Sequence, residues 1–234
     1  AVVAAFAGPN GQQIDPEELG RSRFVRLSDV EPEHVAWLWP GRIPLGKLTI
    51  VDGDPGLGKS TLVEGEFAAR VTTGSPWPDG SPCPRGAVVM LTAEDGLADT
   101  IRPRLDAHGA DASRVVCFEA VEFGPDEERL PSLALDVARI EAAVVREGAL
   151  LVVIDVLMAF LGSRTDSYRD QDIRAALTPL VKMAERTGCA VICLRHLSKT
   201  GGANALYRGG GSIGIIGAAR AGLLVAPDSQ DETR

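Results

Sequence analysis

Residues 53–61 read GDPGLGKST and fit the pattern G-x-x-x-x-G-K-[ST] in full. They follow a short apolar run, KLTIVD, and they precede Leu62, Val63, Phe67, Ala68 and Val71 at helical spacing. A strand, a glycine loop and a helix in that order make a phosphate cradle. Glycine lets backbone N–H groups turn inward around an anion, and the helix N-terminus adds a positive dipole end. Gly53, Asp54, Pro55, Gly56, Leu57, Gly58, Lys59, Ser60 and Thr61 are therefore the candidate nucleotide-binding residues. Lys59 is expected to reach the β- and γ-phosphates of ATP, and Ser60 to ligate Mg2+. The loop does not fit G-x-G-x-x-G, which argues against a dinucleotide. The plainer reading, a glycine-rich turn with a chance lysine, is disfavoured by the strand and helix that flank it.

Three further carboxylates and a histidine sit where apolar runs end. Asp155 closes ALLVVID, at the tip where open α/β sheets bind ligands, and is expected to hold Mg2+ beside Ser60. Capping the next turn is its alternative role. Glu94 and Asp95 close GAVVMLTAED. A carboxylate there can orient and polarise a water in line with the γ-phosphate, and Glu94, nearer the strand end, is the first candidate for that base. Asp95 could instead cap the following helix. His196 closes CAVICLRH and is placed to sense the γ-phosphate, although a lone histidine is often structural.

From Cys189 to Val225 the chain has no Asp or Glu, yet it carries Arg195, Lys199, Arg208 and Arg220. The whole chain of 234 residues has a formal net charge of −8, so contact with a polyanion has to be local. The glycine-rich loop between Lys199 and Arg208, with Tyr207, has the cations and the aromatic that track single-stranded DNA by phosphate contact and base stacking. A solvated loop is the alternative. Arg208 and Arg220 are candidates for an arginine finger that completes the charge at a γ-phosphate. Arg220 precedes the apolar run AGLLVA, and service to a neighbour's nucleotide implies a homo-oligomeric ring or filament.

These residues need a scaffold that brings strand tips together. Apolar runs at 47–52, 86–94, 114–120, 149–155, 189–196 and 221–226 alternate with helical patterns at 59–72, 97–108, 132–147 and 171–187. That alternation predicts an α/β fold with a mostly parallel central sheet and helices on both faces. Residues 1–40, with a strand-like RFVRLSDV, are expected to be a lead-in packed on the core, and 41–234 one ATPase domain, open to truncation at its C-terminus. The chain lacks an initiating methionine and is read as a fragment. No apolar run reaches the ~18 residues of a membrane span. Cys83, Cys117, Cys189 and Cys193 form no CxxC pair and read as reduced, buried thiols of a cytoplasmic protein.

Taken in order, GDPGLGKST, LTAEDG, LLVVID, RHLSKTGG and YRGGGSIGIIGAAR resemble the RecA-like AAA ATPases of the RepA hexameric helicase type, over about residues 40–226. The resemblance implies a P-loop NTPase in which Lys59 and Ser60 bind phosphate and Mg2+ and Glu94 is the catalytic base. Asp155 is the second acid, His196 opens the H-x-x-K element, and Arg220 is the finger given to the adjacent subunit, with Arg208 nearby. It also implies a ring, a hexamer in that family, moving on single-stranded DNA in replication. This chain departs from the family in ending at PDSQDETR, where a further basic strand usually follows. Two other functions are kept open by the residues: an oligomeric ATP-binding switch or scaffold in replication, and a small-molecule P-loop kinase, for which the basic loop is a poor lid.

Overall fold

A computed structural model describes residues 24–124, 127–162, 165–167, 169–197 and 213–228. The chain divides into two units, Ala1–His34 and Val35–Arg234. In the first, the segment expected to be a strand instead makes a 3-10 turn over Leu27–Asp29. Its amides bond locally, Asp29 to the Arg26 carbonyl at 2.9 Å and Val30 to that of Leu27 at 3.2 Å, which leaves them unavailable to a ladder.

The second unit opens with a small antiparallel pair, β1 (Trp37–Trp39) and β2 (Ile43–Pro44). Its centre is a six-stranded sheet made of β3 (Leu48–Gly53), β4 (Ala87–Thr92), β5 (Val115–Cys117), β8 (Ala149–Asp155), β9 (Ala190–His196) and β10 (Ala221–Val225). The spatial order is β10-β3-β9-β8-β4-β5, and every pairing is parallel. These are the six strands expected from the apolar runs, and the fold is that of a RecA-like P-loop NTPase. A second small pair, β6 (Val121–Gly124) with β7 (Glu127–Arg129), was not legible as strand, because its residues are short, polar and half exposed.

The strands are buried on both faces, and their side chains alternate between two cores. Ile50, Val89, Val152, Ile154 and Val191 face α3 (Val137–Glu147), α4 (Leu157–Phe160) and α5 (Asp170–Thr187), joined by α6 (Gly214–Ala218). Val51, Val88, Met90, Val153 and Ile192 face the other layer. That layer holds a helix of wide π turns over Thr61–Phe67 running into α1 (Ala68–Thr73), and a similar wide segment, Leu97–Ile101, running into α2 (Arg102–Ala107). Pro103 lies at the start of α2, just after the wide turns of Leu97–Ile101, and the helix continues past it. Pro179 lies inside α5 without ending it. Helix α3 begins at Val137, five residues later than its apolar pattern suggests. The Asp136 carboxylate there accepts the Ser132 N–H at 2.8 Å and pairs with Arg129, which holds the preceding residues in turns.

Trp39, from β1, stacks on Trp77 with centroids 4.6 Å apart, and Phe67 meets both rings edge-on. This cluster closes the layer around the first helix. The four cysteines are free; Cys83, Cys189 and Cys193 are buried and Cys117 is half-buried. Burial pushes the Cys83 and Cys117 thiols up to about 11, which makes them poor nucleophiles. Among the described residues no helix is long and apolar enough to cross a membrane.

Candidate active site

The C-terminal edge of the sheet collects most of the residues singled out from the sequence. Strand β3 runs into the loop 54–60, and Leu62 donates its N–H to the Gly58 carbonyl at 2.8 Å as the helix begins. Gly56 and Gly58 have φ of 79° and 78°, left-handed values that a side chain would strain. The loop therefore needs glycine at both positions to turn its amides inward.

Lys59 lies folded along this loop, nearly buried, and its ammonium donates to the carbonyls of Gly53 and Asp54, each at 2.9 Å. Burial holds its pKa below the usual lysine value, against the opposing pull of Asp155, Asp54, Glu94 and Asp52. The ammonium thus has acids as well as the two carbonyls around it. The Ser60 hydroxyl lies beside the Asp155 carboxylate at the end of β8, close enough to favour its ionised form. Burial raises the pKa of Asp155, and Ser60 and His196 act in the opposite direction.

That adjacency is the fit test for a divalent cation. A serine hydroxyl and one carboxylate, side by side beneath a phosphate loop, are the hard oxygen donors that Mg2+ takes with phosphate oxygens and waters. Among the described residues no group of three or more His, Cys, Asp or Glu could hold a metal by itself. A cation here would share its coordination with the phosphates.

Glu94 lies just beyond β4, on a turn tied to β8 by the Ala93 N–H, which donates to the Asp155 carbonyl at 3.1 Å. Its carboxylate is half exposed and sits 3.6 Å from His196 Nε2. His196 ends β9 in register with Gly53, and the Leu197 N–H donates to the Gly53 carbonyl at 3.2 Å. The histidine thus stands between the phosphate loop and Glu94, with its Nδ1 buried and lacking a hydrogen-bond partner. Asp95 does not cap the next helix. It pairs instead with Arg104 at 2.9 Å.

Two arginines depart from the basic-segment expectation. Arg195 is buried, and its guanidinium makes two hydrogen bonds to Asp52 on the neighbouring strand, at 2.7 and 2.8 Å. Its charge is spent inside the sheet and is not available to a polyanion. Arg220 is exposed and precedes β10, its N–H donating to the Leu48 carbonyl at 2.8 Å. Leu48 begins β3 while Gly53 ends it, so Arg220 lies on the opposite edge of the sheet, on the order of 15 Å from the phosphate loop. Lys199, Tyr207 and Arg208 lie outside the described residues.

Sequence reasoning missed Asp52, Glu64 and Arg104. Glu64 is buried on the phosphate-binding helix and accepts a hydrogen bond from Arg104. The signal was faint, since Glu64 is one of two glutamates between Val63 and Phe67 and the sequence does not say which of them turns inward.

The sheet topology and the phosphate loop define a RecA-like AAA ATPase. The chain belongs to the AAA domain family, which matches residues 14–202. It is also 27% identical over 158 residues to the DNA repair protein RadA of Brucella abortus (strain 2308). That similarity covers 67% of this chain and 29% of RadA, so the chain spans less than a third of the relative's length.

Proposed function

We propose that this chain is a Mg2+-dependent ATPase working on DNA, with Glu94 as base and Lys59, Ser60 and Asp155 as its phosphate and metal ligands. The observation that carries the reading is the gathering of Ser60, Asp155, Glu94 and His196 at the sheet edge that bears the phosphate loop. Mg2+, when bound, neutralises phosphate charge and fixes the phosphate oxygens. The loop amides and Lys59 hold the β- and γ-phosphates. Glu94 accepts the proton of the attacking water, and the nearby imidazole of His196 orients that carboxylate and reports the γ-phosphate to the segment that follows β9. The DNA half of the reading is supported by the similarity to a DNA repair protein and by the cations Lys199, Arg208 and Arg220.

The finer form is a cytoplasmic replication motor of the RepA hexameric type. Its ring would grip single-stranded DNA through the loop between Lys199 and Arg208. Arg220, on the far sheet edge, would reach the γ-phosphate of a second copy.

ATP turnover with and without single-stranded DNA tests both halves, with Lys59→Ala as blank. Glu94→Gln is expected to lower turnover by about 10²–10⁴-fold while nucleotide binding is kept. Turnover stimulated by DNA supports the motor. Turnover indifferent to DNA removes it and leaves an ATPase switch, and full activity in Glu94→Gln removes Glu94 as base.

A further inference from the structure

We propose that Arg104 is a positioning residue that fixes the Glu94-bearing turn against the phosphate-binding helix, by bridging Asp95 on the turn to Glu64 on the helix. The inference rests on the reading that Glu94 acts at the nucleotide bound by residues 53–60.

The bridge uses both arms of one guanidinium. Nη1 donates to Glu64 Oε2, and Nη2 lies 2.9 Å from Asp95 Oδ2. The three side chains run from interior to surface, with Glu64 1% exposed, Arg104 16% and Asp95 30%. A rigid planar fork can meet two carboxylates on two elements at once, which a lysine cannot do. Asp95 adjoins Glu94, and Glu64 lies four residues after Ser60 on the same helix. The contact therefore spans the two segments whose relative placement sets the distance from base to γ-phosphate.

Helix α2, which carries Arg104, is also fitted closely to the phosphate-binding helix. A Cβ on Gly65 would stand 2.7 Å from the His108 ring, so a side chain there would force that ring to shift. His108 follows Arg104 by one helical turn, and its Nδ1 lies 2.9 Å from the Arg104 carbonyl. Arg104 and His108 thus present one face of α2 to Glu64 and Gly65.

Stability alone is a weak reason for the bridge. Burying a carboxylate is costly, and Glu64 Oε1 is buried without any hydrogen-bond partner. Apolar residues of the same volume commonly do as well or better than a buried ion pair. What an apolar contact lacks is direction, and the bridge supplies direction to a half-exposed turn held otherwise by the Ala93 N–H on the Asp155 carbonyl and by the Gly96 carbonyl, which accepts from Thr100 and Ile101.

The test uses the full chain. Arg104→Ala is expected to lower kcat for ATP about 10²-fold, the scale of a misplaced catalytic group, with KM changed less than threefold. Arg104→Lys, which can hold one carboxylate at a time, is expected to recover part of that loss. Hydrogen–deuterium exchange at residues 93–97 is expected to rise at least about tenfold in Arg104→Ala, while exchange in the β8 and β9 strands stays as in wild type. Asp95→Asn keeps the buried Arg104–Glu64 contact and is the variant to use if Arg104→Ala does not fold; the same changes, smaller in size, are expected. Unchanged exchange at 93–97, an unchanged kcat, or a loss confined to KM would overturn the positioning role. If the wild type shows no turnover above Lys59→Ala, the ATPase reading falls, and the exchange measurement still decides whether Arg104 holds the turn.

Discussion

Arg195 and Arg104 are both drawn out of solvent to meet carboxylates, and they do different work. Arg195 joins two adjacent strands of one sheet and meets a single acid with both arms, so every part of the pair is matched. Arg104 joins a helix to a turn, divides its arms between two acids, and leaves one oxygen of Glu64 unmatched. The first pair sits where nothing has to move, in the interior of β3 and β9 one residue short of the phosphate loop. The second sits between elements whose spacing the proposed chemistry depends on. The comparison teaches that a buried arginine in this fold can be part of the frame or part of its adjustment, and that the symmetry of its partners tells which.

The comparison breaks first at Asp52. Removing one partner of a fully buried pair strands the other charge, so Asp52→Ala is expected to lower stability by about 3–5 kcal/mol in urea unfolding. Arg104→Ala in the same assay should lose less, because Asp95 keeps contact with solvent and Glu64, whose carboxyl burial pushes up to about 8, can be left as a neutral acid. Equal losses would make Arg104 a frame residue like Arg195.

The pH dependence of stability sharpens the same contrast. Burial, with Asp155 next, pushes the Glu64 carboxyl up to about 8, against the charge of Arg104. An unfolded glutamate releases its proton near pH ~4.3. Between about pH 4.3 and about 8 the folded chain holds a proton that the unfolded chain has released, so this group makes stability fall as pH rises through that window. Glu64→Gln removes the titration. Its stability relative to wild type is expected to improve steadily from pH 5 to pH 8 in denaturant titrations, and a constant difference across that range would show that Glu64 is ionised throughout.

The smallest effect belongs to a pair outside the comparison that calibrates it. Lys47 and Glu185 meet at 2.8 Å with both side chains about half exposed. Such surface pairs are worth roughly 0–1 kcal/mol, and Lys47→Ala should fall in that range and shrink further in high salt.

Much of the site was legible because it lies in continuous segments. A phosphate loop is one loop, and the carboxylates of Asp155 and Glu94 follow apolar runs that can only be buried strands. The pairings were not legible, because they join residues far apart in the chain. Asp52 and Arg195 are separated by 143 positions, and Glu64 and Arg104 by 40. Each looks in isolation like an ordinary charge at the end of a run or on a helix. Arg195 in particular reads as one of four cations in an acid-free segment, and only the register of β9 on β3 turns it inward onto Asp52.

The sequence by itself determined the alternation of strand and helix, the glycine positions of the phosphate loop, and the acids at the strand tips, because each depends on local periodicity and backbone freedom. The tertiary structure decided which charges meet. It brought Ser60 beside Asp155, set His196 beside Glu94, closed Arg195 on Asp52, spread Arg104 between Glu64 and Asp95, and put Arg220 on the sheet edge opposite the phosphate loop. The physical reason is that the strength of an electrostatic contact is set by distance and by the water removed around it, and both quantities exist only once the strands have taken their order in the sheet.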